Sequence, residues 1–503
     1  MTRSHEWLCP RCAAPWWSQH LRRGAASAIL CVAVFVGSAP TVVRAGGVVG
    51  TGTPDSCTPA ALNAALGGGG LVTFNCGGLA TITVTATGAI NADTTVDGGG
   101  AITISGGNSV GIFVVNSGVN FTVQNLTIAN GNSASHKGGG IDNEGSTLTV
   151  TNSTFSTNSA GLGGGGIYNH SGTVTVTNST FSGNSAASTT GGGGGIGNSG
   201  TLTVSNSTFS GNSADYDGGG IGNSGTLAVT NSTFSGNSAS HGGGGIGNSG
   251  TLAVTNSTFS GNSASHNGGG IASIGTVTVT NSTFSSNSAG YDGGGIASGT
   301  GTVTNSTFSG NSASHNGGGI TSIGRLTVTN TIVANSTTGG NCAGSVTDGG
   351  HNIDDGTTCG LAGTSLSTTN PMLDSAGLAN NGGPTQTIAL QAGSPAINAG
   401  DESVCAAPPV SNLDQRGYVR PGTGHGQCSI GAYEANATPP EVCIGDCGGT
   451  ATVAINDLVT LVNIALGTAQ PSACPGGVPS GTEVTVAVII QAVNNALSGC
   501  GVG

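Results

Sequence analysis

The chain of 503 residues has few charged side chains, 6% of its length, and a formal net charge of −12. Its 96 glycines follow no Gly-X-Y period, a composition typical of disorder, but regularly spaced Val, Ile, Leu and Phe residues indicate a folded, repetitive chain. The sequence has no basic patch, which excludes binding to nucleic acids or to anionic membranes.

Residues 1–45 are predicted to be an export signal. Arg22-Arg23 precede an apolar run from Ala25 to Val36, and Val43-Arg44-Ala45 is a cleavage site of the small-residue type. Because the run is too short for a membrane helix, we expect no transmembrane span in the mature chain. We therefore expect a bacterial protein that is secreted or held at the cell surface. After residue 45, four basic and 20 acidic residues remain, a net charge of −16.

Ten cysteines follow residue 45, and an even number in an exported chain favours disulfides. They lie outside the stretch of repeated phrases described below, which runs from about residue 120 to residue 335. Proximity in the chain predicts the pairs Cys57–Cys76, Cys342–Cys359 and Cys405–Cys428. The remaining cysteines, for which no pairing is assigned, are Cys443, Cys447, Cys474 and Cys500.

Residues 46–100 alternate apolar and polar side chains, which predicts an N-terminal cap and the first coils of a repetitive fold. Pro59–Leu66 is predicted to be a short helix, with Thr58 as its N-cap and proline at the first helical position. This helix would cover the first coil, whose apolar end otherwise faces water.

Residues 101–345 repeat the phrase Thr-Asn-Ser-Thr-Phe-Ser-Gly-Asn-Ser-Ala with small variations. Its phenylalanines recur every 24–28 residues, at Phe155, Phe181, Phe209, Phe234, Phe259, Phe284 and Phe308. Degenerate copies place Ile104 and Ile128 before them, and Ile332 after them, at the same point of the phrase. A fixed period of this size predicts stacked coils.

One repeat, Thr201–Gly225, predicts three short strands separated by three corners. Alternation places Leu202, Val204, Phe209 and Ile221 inward. Stacked coils would rise by about 4.8 Å each. The asparagines that end the first strand are predicted to form an amide ladder at one corner, and they are Asn206, Asn231, Asn256 and Asn281.

The unit Gly-Gly-Gly-Ile…Thr-Val-Thr-Asn-Ser-Thr-Phe-Ser-Gly-Asn-Ser-Ala, present over roughly residues 80–340, resembles the repeats of pectin-lyase-like proteins and of polymorphic outer-membrane proteins. The resemblance implies an all-β fold, a right-handed, single-stranded parallel β-helix. It implies no particular activity, because function depends on sites that differ among proteins of one fold.

Residues 346–434 break the period and carry Asn381-Gly-Gly-Pro-Thr385, Gly393–Gly400 and Asp414-Gln-Arg-Gly417 in order. This block resembles the choice-of-anchor Q module, with Ile388 where that family usually has histidine and Ser429 where aspartate is common. The resemblance implies a C-terminal cap and surface display or secretion, with no catalytic role. The charged side chains expected to pair within it are Asp414, Arg416, Arg420 and Glu434.

Residues 435–442 are a proline-containing linker, and residues 443–503 contain two related Cys-rich segments that each lead into an amphipathic helix. The pair resembles a dockerin-type tandem of EF-hand-like loops and predicts a small α-helical domain. Of the calcium ligands of such a loop, only Asp446 and Asp457 have carboxylates at the required first and last positions. We therefore expect weak calcium binding or none, and no other cofactor.

The loop after each Asn-Ser-Ala presents a stripe of ring side chains, His136, Tyr216, His241, His266, Tyr291 and His315. Stacked rings of this kind can bind sugar faces, or a metal through His241 and His266. The alternative is a solvated loop whose tip varies freely.

Between residues 146 and 324 the acidic residues are Asp215, Asp217 and Asp292. Asp292 lies three predicted coils from the other two, about 14 Å, which is too far for a two-carboxylate mechanism. No catalytic residue is therefore assigned. Outward threonine pairs, such as Thr173 and Thr175, form ranks like those of ice-binding solenoids, but alanines interrupt the ranks.

The sequence favours an exported, non-catalytic β-helix protein that presents a repetitive polar face for adhesion or glycan contact. Its expected partners are extracellular polysaccharides or cell-surface components. The first alternative is a polysaccharide lyase or glycoside hydrolase of the pectin-lyase-like superfamily, and the second is an ice- or surface-binding threonine ladder.

Overall fold

A computed structural model describes residues 46–188, 192–440, 443–448, 452–478 and 483–498. All of them belong to one unit, Arg44–Gly503. The predicted export signal, residues 1–45, lies outside the described residues.

The repeats form a parallel β-helix of about 12 turns, so the predicted all-β fold is confirmed. The pairings between neighbouring coils are parallel, and most keep one register throughout, as between Thr226–Thr230 and Thr251–Thr255. Register shifts occur where an Ile and a Thr segment are joined in one strand, as after Ser273 and after Ser298. The coils that begin at Ile141, Ile167, Ile196, Ile221 and Ile246 each have four strand segments rather than the three predicted, because Ser-Ala, before the loop, forms a short strand of its own.

We name the four segments by their residues. The Ile strands are Ile141–Asn143, Ile167–Asn169, Ile196–Asn198, Ile221–Asn223 and Ile246–Asn248. The Thr strands are Thr147–Thr151, Thr173–Thr177, Thr201–Ser205, Thr226–Thr230 and Thr251–Thr255. In later coils the two segments join, giving Ile271–Thr280, Ile296–Thr304, Ile320–Thr329 and Cys342–Asp348.

The Phe strands are Thr154–Ser156, Thr180–Ser182, Thr208–Ser210, Thr233–Ser235, Thr258–Ser260, Thr283–Ser285, Thr307–Ser309, Ile332–Ala334 and Ile353–Asp354. The Ser-Ala strands are Asn132–Ser133, Ser159–Ala160, Ser185–Ala186, Ser213–Ala214, Ser238–Ala239, Ser263–Ala264, Ser288–Ala289 and Ser312–Ala313. The first coils contain Val48–Val49, Gly70–Phe74, Ala80–Thr83, Gly88–Ile90, Thr94–Ser105, Phe113–Val115 and Asn120–Ala129.

The core is a set of apolar columns parallel to the helix axis. Neighbouring phenylalanine rings from Phe155 to Phe308 stack with centroids 4.6–4.8 Å apart and planes within 6°. Ile128 and Ile104 continue the column as predicted. Ile332 does not, because Val333 pairs with Phe308 and Ile332 takes the position of the preceding threonine. Ile332 instead packs against Ile430 outside the column.

The predicted amide ladder was assigned to the wrong asparagines. Asn206 and its equivalents adopt φ of 46–51° and turn the corner, with Asn206 exposed. The buried ladder is formed by the asparagines of Gly-Asn-Ser or its variants, each Nδ2 donating to the next Oδ1 at 2.9 Å, in the order Asn158, Asn184, Asn212, Asn237, Asn262, Asn287 and Asn311. Left-handed backbone geometry is what asparagine tolerates best among residues with a side chain, which explains the first set.

The N-terminal cap has the predicted helix. Pro59–Leu66 is α-helical, and Thr58 Oγ1 accepts a hydrogen bond from Ala61 N at 3.2 Å. A short 3₁₀ helix, Pro54–Ser56, precedes it. The disulfide Cys57–Cys76 ties this region together, and Leu62 is buried against the first coil.

Beyond the repeats, the β-helix continues past residue 345, since Cys342–Asp348 and Ile353–Asp354 still pair in parallel with the preceding coil. The disulfide Cys342–Cys359 closes this last coil. An antiparallel pair, Leu373–Ala379 with Thr387–Leu390, follows, and then the helix Glu402–Ala406. Cys405 bonds to Cys428, so the three disulfides predicted from proximity are all present.

Residues 346–434, the C-terminal module, also lie along the side of the last coils. Gln415 Nε2 donates to Thr258 Oγ1 at 2.8 Å, and its Oε1 accepts from Thr283 Oγ1 at 2.6 Å. Ala432 N donates to Thr307 Oγ1 at 3.0 Å. The module therefore buries threonines that remain half-exposed in earlier coils.

Buried ion pairs hold the module, as expected from its charged residues. Arg416 Nη2 lies 2.6 Å from Asp414 Oδ2, and Arg420 Nη1 lies 3.5 Å from Glu434 Oε2. Ser429 donates through N and Oγ to the two oxygens of Glu434. Arg420 is fully buried, so its charge requires these partners, because an unpaired buried charge is costly.

The tail comprises two helices, Ile455–Ala465 and Val486–Ser498, and a 3₁₀ helix, Pro471–Ala473. The disulfide Cys447–Cys474 joins its segments, and Cys443 is also disulfide-bonded. Cys500 lies outside the described residues. In the part of the chain that the structure describes, no helix is long and apolar enough to cross a membrane.

Candidate functional site

A groove runs parallel to the helix axis between the loop stripe and the residues that follow the Ile strands. We call it the axial groove, and its volume is about 510 Å³. This size falls within the range of about 300–1,000 Å³ that is usual for ligand pockets. Its floor is made by the outward-facing middle residues of successive Ile strands, Gly197, Gly222, Gly247, Ala272 and Ala297.

The groove exists because its floor residues are small. A Cβ at Gly222 would lie 2.6 Å from the backbone nitrogen of Gly193, and one at Gly247 would lie 2.8 Å from Gly218 N. The glycine-rich loop of the preceding coil therefore packs directly against the strand, which glycine at these two positions permits.

One wall contains part of the predicted stripe. The rings of Tyr216 and His241 stack with centroids 4.5 Å apart and planes within 5°. His241 Nδ1 lies 2.9 Å from Asp217 Oδ1 in a hydrogen bond, and His266 is tilted by 42° at 5.1 Å from His241. Because these rings turn their faces toward each other along the axis, they present edges to a ligand.

The other ring residues of the predicted stripe do not form one continuous stack. Tyr291 and His315 form a second pair with centroids 3.9 Å apart. His136 stands apart beside Ser135, two or more coils from Tyr216. Of the six predicted residues, only Tyr216 and His241 line the groove. His266, Tyr291, His315 and His136 are exposed outside it.

The groove is acidic on this wall and apolar at one end. Asp217 lines it two coils before Asn267, and Asp292 lines it in the coil after Asn267. Asp215 borders a different depression. The opposite side has Ser199, Ser224 and Ser249. At the C-terminal end Ile274 and Ile323 are 81% and 80% exposed, an unusual position for isoleucine.

At the N-terminal end the outward residues change from glycine and serine to large polar side chains. Tyr168 lines the groove, and its ring lies 4.7 Å from that of His170 and 4.0 Å from Lys137 Nζ. His170 Nε2 lies 3.2 Å from Asp142 Oδ1 and 3.2 Å from Glu144 Oε1. We call Asp142, Glu144 and His170 the Asp-Glu-His cluster.

The Asp-Glu-His cluster contains a perturbed carboxyl group. The pKa of Asp142 is raised to about 6, chiefly by burial and also by the nearby charge of Glu144, while His170 and Lys137 oppose the rise. Asp142 is only 8% exposed, whereas Glu144 is about half-exposed. The cluster is thus closed at Asp142 and open to solvent at Glu144.

Sequence reasoning missed this cluster because the search for acidic residues covered residues 146–324, and Asp142 and Glu144 precede them. The sequence nevertheless contains a signal for this cluster, a departure from the repeat in two coils. Ile141-Asp-Asn-Glu and Ile167-Tyr-Asn-His depart from the Ile-Gly-Asn-Ser of the three following coils at the two outward positions.

Of the two acidic residues of the predicted calcium loop, one is bonded at the start of a helix and the other is buried. Asp457 Oδ2 accepts a hydrogen bond from Ala454 N at 2.8 Å, at the start of the helix Ile455–Ala465. Asp446 is buried at 3% exposure. Residues 449–451 of the loop lie outside the described residues, so calcium binding there stays a prediction.

The coils, their ladders and the axial groove define the class of this protein as a parallel β-helix repeat protein. Three stretches of the array, residues 206–224, 256–274 and 305–322, match the model of the Chlamydia polymorphic membrane protein repeat. No curated protein and no solved structure matches the chain.

Proposed function

We propose that this protein is a surface-exposed bacterial β-helix protein whose axial groove binds a neutral glycan chain. The groove itself is the observation that carries this proposal, because it offers hydrogen-bonding groups at a regular spacing along one line. The match to polymorphic membrane protein repeats supports the surface location.

The chemistry of the groove favours a neutral ligand. Carboxylates of Asp217 and Asp292 accept hydrogen bonds from hydroxyl groups, and charge-assisted hydrogen bonds are about twice as strong as neutral ones. The same carboxylates repel acidic polysaccharides. Ile274 and Ile323 supply an exposed apolar lip on which the C–H face of a sugar can pack.

The C-terminal module and the tail fit the same proposal. Their likeness to choice-of-anchor Q and dockerin modules supports attachment at the cell surface or to a partner there. Adhesion through the groove and anchoring through the C-terminal parts are compatible, since the groove and the module contact different strand segments of the coils.

The test is a binding assay of the full chain against soluble polysaccharides, with neutral β-glucan and galactomannan compared with polygalacturonate and alginate. We expect retention by a neutral polymer only. Asp217→Ala should weaken binding about tenfold, the effect of losing roughly 1.4 kcal/mol from a charge-assisted hydrogen bond. Asp215→Ala in the same loop is the matched control, because Asp215 lies outside the groove.

Equal losses in the two variants, or preference for the acidic polymers, would contradict the groove as the binding site. Cleavage of a polysaccharide would replace the non-catalytic proposal with the hydrolase or lyase alternative. In that event, loss of cleavage in Asp142→Asn or Glu144→Gln would identify the Asp-Glu-His cluster as the acidic pair, since both carboxylates lie beside His170, next to the groove-lining Tyr168.

A further inference from the structure

The Asp-Glu-His cluster is built by two neighbouring coils. The strands Ile141–Asn143 and Ile167–Asn169 pair in register, with Asp142 opposite Tyr168. Glu144 and His170 each follow the inward asparagine of their strand, and His170 N donates to Asn143 O at 3.1 Å. Two carboxylates from one coil and an imidazole from the next therefore meet on the same outer face.

The buried atoms of this cluster have no hydrogen-bond partners. Asp142 is 8% exposed, yet neither its Oδ1 nor His170 Nε2 has a hydrogen-bond partner. Donor atoms of the three side chains all lie within 4.8 Å of one another. Buried polar atoms are normally satisfied. Asp142 Oδ1 and His170 Nε2 lie 3.2 Å apart without a well-aligned hydrogen bond, which indicates a ligand that contacts both.

We propose that Asp142, Glu144 and His170 bind one divalent transition-metal ion, for which Zn²⁺ is the best fit. This site is separate from the proposed glycan contacts and does not depend on them.

The spacing of the donor atoms agrees with a single ion. Zinc ligands lie about 2.0–2.1 Å from the metal, so neighbouring donors are about 3.4 Å apart in a tetrahedral site and about 3.0 Å apart in an octahedral one. His170 Nε2 lies 3.2 Å from an oxygen of each carboxylate, between these two values. The half-exposed Glu144 leaves a side of the site open to water.

The donor types select the class of metal. One imidazole nitrogen and two carboxylate oxygens suit Zn²⁺, Mn²⁺ or Fe²⁺, whereas Ca²⁺ takes six to eight oxygen ligands. A dication also balances the two carboxylate charges. The three following coils have glycine and serine at the equivalent positions, Gly197 and Ser199 in the first of them, so the array predicts one site per chain.

Calorimetric titration of the full chain, freed of metal by a chelator, tests this site with ZnCl₂ and, separately, CaCl₂. The variants Glu144→Ser and His170→Ser introduce the residue that later coils carry at this position, which protects the fold. The control is His241→Ser, which removes a histidine paired with an aspartate but with no third ligand. Co²⁺ provides a second readout, because its visible absorption reports the ligand geometry directly.

We expect one Zn²⁺ per chain, affinity reduced about tenfold or more in Glu144→Ser and His170→Ser, and no change in His241→Ser. The Co²⁺ absorption should be lost in His170→Ser. Absence of Zn²⁺ binding, Zn²⁺ binding that the two variants leave intact, or binding of Ca²⁺ in preference to Zn²⁺ would overturn the proposal. The first result would mean that His170 pairs with the carboxylates without a metal.

Discussion

The inward and outward positions of the same strands follow opposite rules. Ile141, Ile167 and Ile196 are all fully buried, and the asparagine two residues after each is buried and bonded to its counterpart in the next coil. The residues between them change from aspartate to tyrosine to glycine. An inward residue must match its copies above and below, whereas an outward residue is free to vary. Variation at outward positions is therefore where function should be sought.

The largest loss of stability should come from a substitution at the centre of the phenylalanine column. Phe234→Ala removes a fully buried ring that stacks on Phe209 and Phe259, and we expect a loss of about 3–5 kcal/mol in the free energy of unfolding. Denaturant unfolding followed by circular dichroism measures it. A loss below about 1 kcal/mol would show that the coils collapse around the cavity, contrary to a rigid column.

A substitution in the buried asparagine ladder should cause the next largest loss of stability. Asn237 Nδ2 donates to Phe209 O and to Asn262 Oδ1, both at 2.9 Å, and its Oδ1 accepts from Asn212. We expect Asn237→Ala to cost about 2–4 kcal/mol, because the neighbouring amides lose buried partners. Asn231→Gly is the control at the adjacent corner, where φ is 49° and glycine is well tolerated. Similar losses in both would refute the ladder as assigned.

The C-terminal module buries some outward-facing residues of the coils. The stability effect of replacing a buried threonine can therefore be compared with that of an equivalent exposed one. Thr283 is fully buried and bonds to Gln415, whereas Thr233, two coils earlier in the same column, is half-exposed. Thr283→Val should cost about 1–2 kcal/mol and Thr233→Val less than about 0.5 kcal/mol. Unfolding midpoints of the two variants decide this. Equal midpoints would mean that the module contributes little at this contact.

The smallest change in stability is expected from substitutions at the axial groove. Asp217→Ala and Asp215→Ala should each change the free energy of unfolding by less than about 0.5 kcal/mol, since neither side chain is buried. The two variants should therefore have the same melting temperature while differing in glycan binding. A large loss of stability in Asp217→Ala alone would assign its bond with His241 a structural role.

The coils were predictable because their period, their phenylalanines and their glycines all agree with one architecture. Even the helix at Pro59–Leu66 followed from its cap and its proline. The asparagine ladder was not predictable, because each phrase has two asparagines at corners. The sequence does not say which of the two side chains points inward. Backbone geometry decides it: the asparagine with positive φ turns outward, and the one after the Phe strand lies inside.

The site was predictable only in part. Ring residues at matching loop positions do lie against one another. Tyr216 and His241 stack face to face, whereas Tyr291 and His315 are tilted by 56°, and no spacing in the sequence could reveal these orientations. The Asp-Glu-His cluster requires the register between two coils, since Asp142 and His170 are distant in sequence and meet only when the strands pair. Ile332, by contrast, was placed wrongly although the sequence aligns it with Thr307, since Asn330-Thr-Ile-Val333 matches Asn305-Ser-Thr-Phe308.

The register of the coils makes the length of this molecule adjustable in whole steps. Thr226–Gly250 begins and ends as its neighbours do, so deleting it would join Gly225 to Thr251, the same Gly-Thr junction that exists already. Such a deletion shortens the stack by about 4.8 Å and leaves both ends unchanged. The distance from the Asp-Glu-His cluster to the coils covered by the module can thus be set by copy number alone, without altering a single contact surface at either end.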